Sequence, residues 1–207
     1  LDRGATDGCP GPGSTPVSLL RSAASVLESV RRHGRNACLV GGLAVSVRCD
    51  PRFTRDVDLA VAVSGDSDAE ELARELRDEG FSTASVVEQE AVGRLAMVRL
   101  VDSEGVSVDL LVASSGIEPE IVADAEVLEV AQGVKIPVAR VGHLIVMKLL
   151  SVREGRETDA ADLRSLAAIA DGDEWLRAER AVQLVSSRGF SRERDLAADL
   201  ANLRRAR

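Results

Sequence analysis

The segment Leu39-Val-Gly-Gly-Leu-Ala-Val-Ser-Val-Arg-Cys-Asp-Pro-Arg-Phe-Thr-Arg-Asp-Val-Asp-Leu-Ala-Val-Ala-Val63 sets a double glycine ahead of two aspartates that lead into an apolar run. Extended chain repeats its facing every two residues, so Asp56 and Asp58 point to the same side with Cα atoms about 7 Å apart. Leu59-Ala-Val-Ala-Val63 lacks polar alternation, as a strand buried on both faces would. Two uncompensated acids at the mouth of such a strand are costly, and a shared divalent cation removes the cost. Upstream, residues 37–40 form a short strand, Gly41-Gly42 turns the chain, and Leu43 to Arg48 starts a helix that Asp50-Pro51 ends. Glycines between strand and helix let backbone N–H groups approach a triphosphate with no Cβ in the way, and the helix dipole favours that charge. No GxxxxGK[ST] motif is present, which excludes a P-loop.

Around this segment the apolar spacing of Leu19, Leu20, Ala23, Val26, Leu27 and Val30 predicts an opening helix over 17–33. A charged helix over 68–79 follows the aspartate strand, then strands near 84–89, 94–101 and 106–112, the last two joined by a turn at 102–105. A hairpin over 127–138 comes next. Beyond Gly142 the pattern is wholly helical, with segments at 143–153, 159–170, 174–187 and 192–205. The reading is an α+β chain: a disordered segment over 1–16, an α/β core with a mixed sheet over 17–140, and a C-terminal helical bundle over 141–207 that completes the site.

A chain of 207 residues with 45% hydrophobic content can bury a real core. One Trp, three Phe and no Tyr exclude base stacking on aromatic platforms as a way to hold single strands. The net charge of -8 is unevenly spread. Residues 66–79 hold seven acids against two arginines, whereas 21–55 hold seven arginines against two acids and 174–207 eight against five. Local field rather than net charge steers a polyanion, so an acidic chain remains compatible with nucleotide or RNA. Three cysteines without a CxxC pair indicate neither a disulfide framework nor a zinc knuckle, and Cys38 and Cys49 read as core packing. No apolar run is long enough for a membrane span and the first residues lack a signal-type core, so the expectation is a cytoplasmic protein without membrane attachment.

Asp109 is the one charge within Val106-Ser-Val-Asp-Leu-Leu-Val112. Alone it reads as a strand-edge charge, just as Asp56 and Asp58 alone read as a solvated strand entry. Together the three make an all-oxygen donor set of the kind that holds two Mg²⁺ ions and bridges substrate phosphates, with Mn²⁺ as a substitute. Only two lysines stand against twenty-four arginines, and one of them, Lys148, interrupts the apolar helix His143-Leu-Ile-Val-Met-Lys-Leu-Leu150. It is either a snorkelling surface residue or a point charge for phosphate. Asp159 and Asp162 share a helix face at i, i+3 and are equally readable as N-terminal helix charges. His33 and His143 show no ligand spacing and read as surface or helix-end residues. No GxSxG elbow supports acyl hydrolysis.

These residues resemble the AbiEii-type nucleotidyltransferases, particularly the MenT toxins, within the polymerase β-like superfamily. Gly41-Gly42 and Arg52-Phe-Thr-Arg-Asp-Val-Asp58 are similar to the family's GG and R-x-S/T-x-D-h-D signature, and Val108-Asp109 to its third carboxylate. Ile136-Pro to Leu150 resembles the entry into its lysine helix, and Asp159-Ala-Ala-Asp162-Leu163 its D-x-x-D-L motif. The resemblance implies transfer of a nucleoside monophosphate, with CMP favoured, from an NTP to the 3′ end of tRNA, as part of a toxin–antitoxin system. It implies Asp56, Asp58 and Asp109 as metal ligands, with Asp109 also activating the attacking hydroxyl. Gly41, Gly42 and Lys148 would hold phosphates, Asp162 would orient its neighbours, and Arg52, Arg55, Arg153 and Asp159 would contact substrate. Thr54, two residues before Asp56, would face the metal side and be open to phosphorylation through a cognate antitoxin. A small hydroxylated acceptor, or a non-catalytic nucleotide- or antitoxin-binding module, is the alternative, and the free chain is expected to be a monomer.

Overall fold

The computed structural model describes residues 16–52, 54–89, 92–152 and 157–206. The expected disordered segment therefore falls almost wholly outside the described residues, as does Arg153. In chain order the elements are α1 (Pro16–Arg32), β1 (Asn36–Val40), α2 (Gly41–Arg48), β2 (Val57–Ala62), α3 (Asp66–Asp78), β3 (Ser82–Gln89), β4 (Arg94–Val101), β5 (Ser107–Leu111), α4 (Glu118–Ala123), β6 (Glu126–Ala131), β7 (Val134–Val138), α5 (Val141–Ser151), α6 (Glu157–Ile169), α7 (Gly172–Ser187) and α8 (Leu196–Arg205).

Seven strands form one mixed sheet in the order β3-β4-β5-β2-β1-β7-β6. β2 lies antiparallel to β1 and parallel to β5, and β1 is parallel to β7. The remaining neighbours are antiparallel hairpins. The unalternating run predicted to be doubly buried is the central strand, with Val57, Leu59, Ala60 and Val61 all inaccessible. α1 supplies its predicted apolar stripe to the same core, where Ala23, Val26 and Val30 are fully buried.

The helical C-terminal region is built around α5, whose residues 141–146 together with Leu149 and Leu150 are buried. It packs on α2, α6, α7 and α8. Gly142 permits the α5–α7 approach, since a Cβ there would lie 2.3 Å from the main-chain oxygen of Glu174. The Glu174 side chain in turn accepts the Gly142 N–H at 2.7 Å. Asp171 caps α7 through the Glu174 N–H and Asp195 caps α8 through the Ala198 N–H.

Four expectations are corrected. α2 begins at Gly41 itself rather than at Leu43. The last helix starts at Leu196, not 192, because Arg192 and Glu193 adopt positive φ values of 54° and 61°. The short α4, Glu118-Pro-Glu-Ile-Val-Ala123, was not anticipated. His143 does lie at a helix end, in the first turn of α5, but it is buried there rather than at the surface, and burial pushes its imidazole down to about 4.

Candidate active site

Sheet register brings the separated motifs into one row. Val40 of β1 pairs with Asp58 of β2, Asp58 pairs with Asp109 of β5, and Asp109 pairs with Arg99 of β4. Adjacent strands lie about 4.8 Å apart, so Asp58 and Asp109 are side by side on one face. Asp56 lies in the approach to β2, just before the strand rather than within it.

Gly41, directly beyond Val40, has φ +64°, and a Cβ on it would stand 1.9 Å from Oδ2 of Asp58. Any side chain here would drive into that carboxylate. Asp58 also accepts the backbone N–H of Gly42 at the start of α2. Burial first, and then the charges of Asp109 and Asp56, push the Asp58 carboxyl up to about 6, against the opposing pull of Lys148 and of the Gly42 N–H.

A second cluster faces this row. Lys148 on α5 places Nζ 2.7 Å from Asp159 Oδ1 and 2.8 Å from Asp162 Oδ2. Arg52 grips the other side of Asp162, Nε to Oδ1 at 2.6 Å and Nη2 to Oδ2 at 2.7 Å. Asp162 is 2% exposed and Asp159 4%. Lys148 is thus a largely covered, paired cation and not a snorkelling one, and the buried Asp159 and Asp162 are its partners. The same Arg52 guanidinium occupies the space a Cβ of Gly42 would need, 2.4 Å from Nη2.

A cavity of about 210 Å³ opens between the two clusters, lined by Gly41, Gly42, Asp58, Lys148 and Asp159. Ser114, Ser115, Met147 and Arg192 are among its other lining residues, with leucines of β5 and α5. Arg55 is exposed, and the Thr54 hydroxyl approaches the main-chain oxygen of Asp56 at 3.5 Å. Cys38 is buried with its thiol pushed up to about 12, in keeping with a packing role.

Arg99 was not anticipated. Its Nε and Nη2 each lie 2.7 Å from an oxygen of Asp109, a bidentate pair that holds the guanidinium firmly protonated. The expected strands, 94–101 and 106–112 closed by the 102–105 turn, would set residue 98 opposite residue 109; the observed register, Val101 with Ser107, is shifted by one and brings Arg99 to Asp109 instead.

The donor set suits a hard divalent cation. Asp58 is a carboxylate whose charge is resisted by burial and by two neighbouring acids, and oxygen ligands of this kind are what Mg²⁺ selects. Yet among the described residues no three His, Cys, Asp or Glu side chains converge as a finished metal cluster. Among the described contacts Asp56 and Asp58 have no bidentate cation partner, whereas both oxygens of Asp109 are engaged by Arg99.

A family model described as a nucleotidyl transferase of unknown function, DUF2204, matches residues 19–188. The chain belongs to that family. The transferase also shares its fold with an antigenic nucleotidyltransferase-like protein from Paracoccidioides brasiliensis, at 18% identity and a TM-score of 0.52, with 91% of this chain and 93% of that one covered. The antibiotic-resistance factor ANT(2″)-Ia aligns over 93% of the transferase and 92% of its own chain, at 15% identity and a TM-score of 0.49. No curated protein matches its sequence significantly. No helix among the described residues is long and apolar enough to cross a membrane.

Proposed function

We propose that this nucleotidyl transferase moves a nucleoside monophosphate from an NTP to the 3′-terminal hydroxyl of tRNA, CMP being the favoured group, and acts as the toxin of a toxin–antitoxin pair. The observation that carries the transfer chemistry is the row of Val40, Asp58 and Asp109 with the Gly41-Gly42 turn beside it. Gly41 and Gly42 line the cavity together with Asp58, and the triphosphate lies there in this reading. Lys148 lines the same cavity and holds a phosphate oxygen, while Asp159 and Asp162 fix its position. Arg52, clamped by Asp162 beside Gly42, adds positive charge next to the cavity, and the motif resemblance gives the exposed Arg55 the same task. Bound to Asp56, Asp58 and Asp109, Mg²⁺ would polarise the α-phosphate and neutralise the leaving pyrophosphate. Asp109 takes the proton of the acceptor hydroxyl as its oxygen bonds to the α-phosphorus and the bond to the β-phosphate oxygen breaks. Positioning and electrostatics supply nearly all that this step requires.

What supports tRNA as acceptor is the motif string resembling the MenT-like toxins. One observation favours a small hydroxylated acceptor instead. Several C-terminal arginines are internally paired, Arg188 with Glu120, Arg194 with Asp199 and Arg204 with Glu179, so that region offers less free positive charge than its composition suggests. Incubation with each α-labelled NTP, Mg²⁺ and total tRNA, comparing wild type with Asp58→Ala, separates the readings. Label in tRNA that the substitution abolishes supports the proposal. Pyrophosphate release only with small hydroxylated acceptors moves the assignment to that class, and no transfer to any acceptor leaves a binding module. Intact mass after coexpression with a neighbouring antitoxin tests phosphorylation at Thr54, and an inhibited but unmodified protein removes that idea. Light scattering checks the proposed monomer.

A further inference from the structure

Metal-dependent transfer at this site requires Asp109 to face an ion, but Asp109 faces Arg99. The pair is bidentate, with both contacts at 2.7 Å, and is set by backbone register, since the two residues are direct partners across β4 and β5. Asp109 is almost inaccessible while the Arg99 side chain is 39% exposed, so the acid is fixed in place and the guanidinium has open solvent into which to withdraw. Asp56 and Asp58 have no such bidentate partner among the described contacts.

We propose that Arg99 is an internal placeholder cation. It neutralises the third carboxylate in the free protein and must leave Asp109 before a divalent ion is bound there, so that metal binding at Asp109 is an exchange of one cation for another. This positioning role rests on the proposed nucleotidyl transfer for its purpose but not for its test. The physical reason for such a device lies in the row itself. Three carboxylates crowded across two neighbouring strands repel one another, and a guanidinium fork satisfies both oxygens of the buried Asp109 without help from solvent. The same fork withholds those oxygens from a metal.

The experiment is titration of the nucleotide-free protein with Mn²⁺, free ion being followed by electron paramagnetic resonance. Wild type, Arg99→Gln, Arg99→Lys, Asp109→Asn and the Arg99→Gln/Asp109→Asn double variant are compared. Arg99→Gln should bind Mn²⁺ about tenfold more tightly than wild type, equivalent to about 1.4 kcal/mol. Arg99→Lys, which keeps the charge but loses the fork, should fall between them. The gain should vanish in the Asp109→Asn background, because the coupling runs through that carboxylate. Unchanged or weaker binding in Arg99→Gln overturns the proposal. So does a gain that persists with Asp109→Asn, which would mean only a general change of field. If Arg99→Gln fails to fold, Arg99→Lys decides by the same criterion. Mn²⁺ binding by wild type together with NMP transfer, but no gain on substitution, defeats the Arg99 proposal alone; absence of both binding and transfer defeats the nucleotidyl transfer reading as well.

Discussion

Asp58 holds an unfavourable charge where the proposed chemistry needs one. Its carboxyl is held near 6, above the ordinary carboxylate value of 3.8, so between these pH values the folded chain keeps a proton that the unfolded chain has released. Stability therefore falls as pH rises through that window. Asp58→Asn removes the burden: at pH 7.5 and without metal it should be more stable than wild type by on the order of 1–3 kcal/mol, and the advantage should disappear below pH 4. Paired urea titrations at the two pH values check this, and no gain at pH 7.5 would show that the buried charge is already compensated. Gly41 sits at the same scale. Its positive φ and the 1.9 Å approach to Asp58 mean that Gly41→Ala must displace the carboxylate. A shift of about 1 Å in a reacting group costs about 100-fold in rate. Steady-state NMP transfer should fall by that order while circular dichroism remains native; near-wild-type turnover would place the triphosphate elsewhere.

Among the elements, α5 is the piece whose interior the helical pattern conceals. An apolar helix with one lysine and one histidine does not say which of them is buried; here His143 is buried and Lys148 is largely covered, for different reasons. Lys148 meets Asp159 and Asp162 from α6, while His143 faces the α4–α7 side with Asp124 at 4.0 Å and Arg177, Glu174 and Glu120 nearby. The His143 imidazole is neutral in the fold down to about 4, against an ordinary 6.5. As pH falls from 6.5 towards 4, the unfolded chain gains a proton that the folded one refuses, and up to about 3 kcal/mol of stability is lost. His143→Gln should lack that component. The difference between urea midpoints at pH 7 and pH 4.5 should therefore shrink relative to wild type, and an equal difference in both proteins would count against a buried neutral histidine. The element missed in the sequence, α4, is only six residues long and carries Glu-Pro-Glu in its first turn, too short for a helical period to show. The misplaced start of α8 has a different cause: Arg192 reaches the main-chain oxygens of Leu150 and Ser114, tertiary contacts that accompany a backbone turn no residue type there advertises.

At the scale of the whole molecule, the chain Arg52–Asp162–Lys148–Asp159 fastens the helical region to the sheet-bearing core, with Arg52 and Asp162 separated by 110 positions. Removing the shared anion takes from Lys148 one of its two buried carboxylates and breaks the Arg52 fork. Asp162→Ala should cost about 3–5 kcal/mol, as breaking a buried ion network by one member does. Because the network spans both regions, the loss should lower a single cooperative calorimetric transition. Two separated transitions would instead reveal units that unfold independently.

What the sequence determined by itself is what depends on near neighbours and periodicity. The doubly apolar run after Asp58 marks the central strand, Gly41-Gly42 a turn under close approach, and the 3.6-residue stripe of α1 a core-facing helix, since each follows from the steric and solvation demands of a few consecutive residues. The order of motifs also carried the resemblance to nucleotidyltransferases, and with it the candidate acids. Only the tertiary structure decided who partners whom. Two aspartates 51 positions apart become neighbours because β2 and β5 run parallel. Lys148 becomes a paired, largely covered cation because α6 brings Asp159 and Asp162 against it. Asp109 is held by a guanidinium, the outcome of a competition between a hydrogen-bonding fork and other cations that is settled by strand register and burial. Charge pairing depends on distance and desolvation, and a linear pattern encodes those only through the fold.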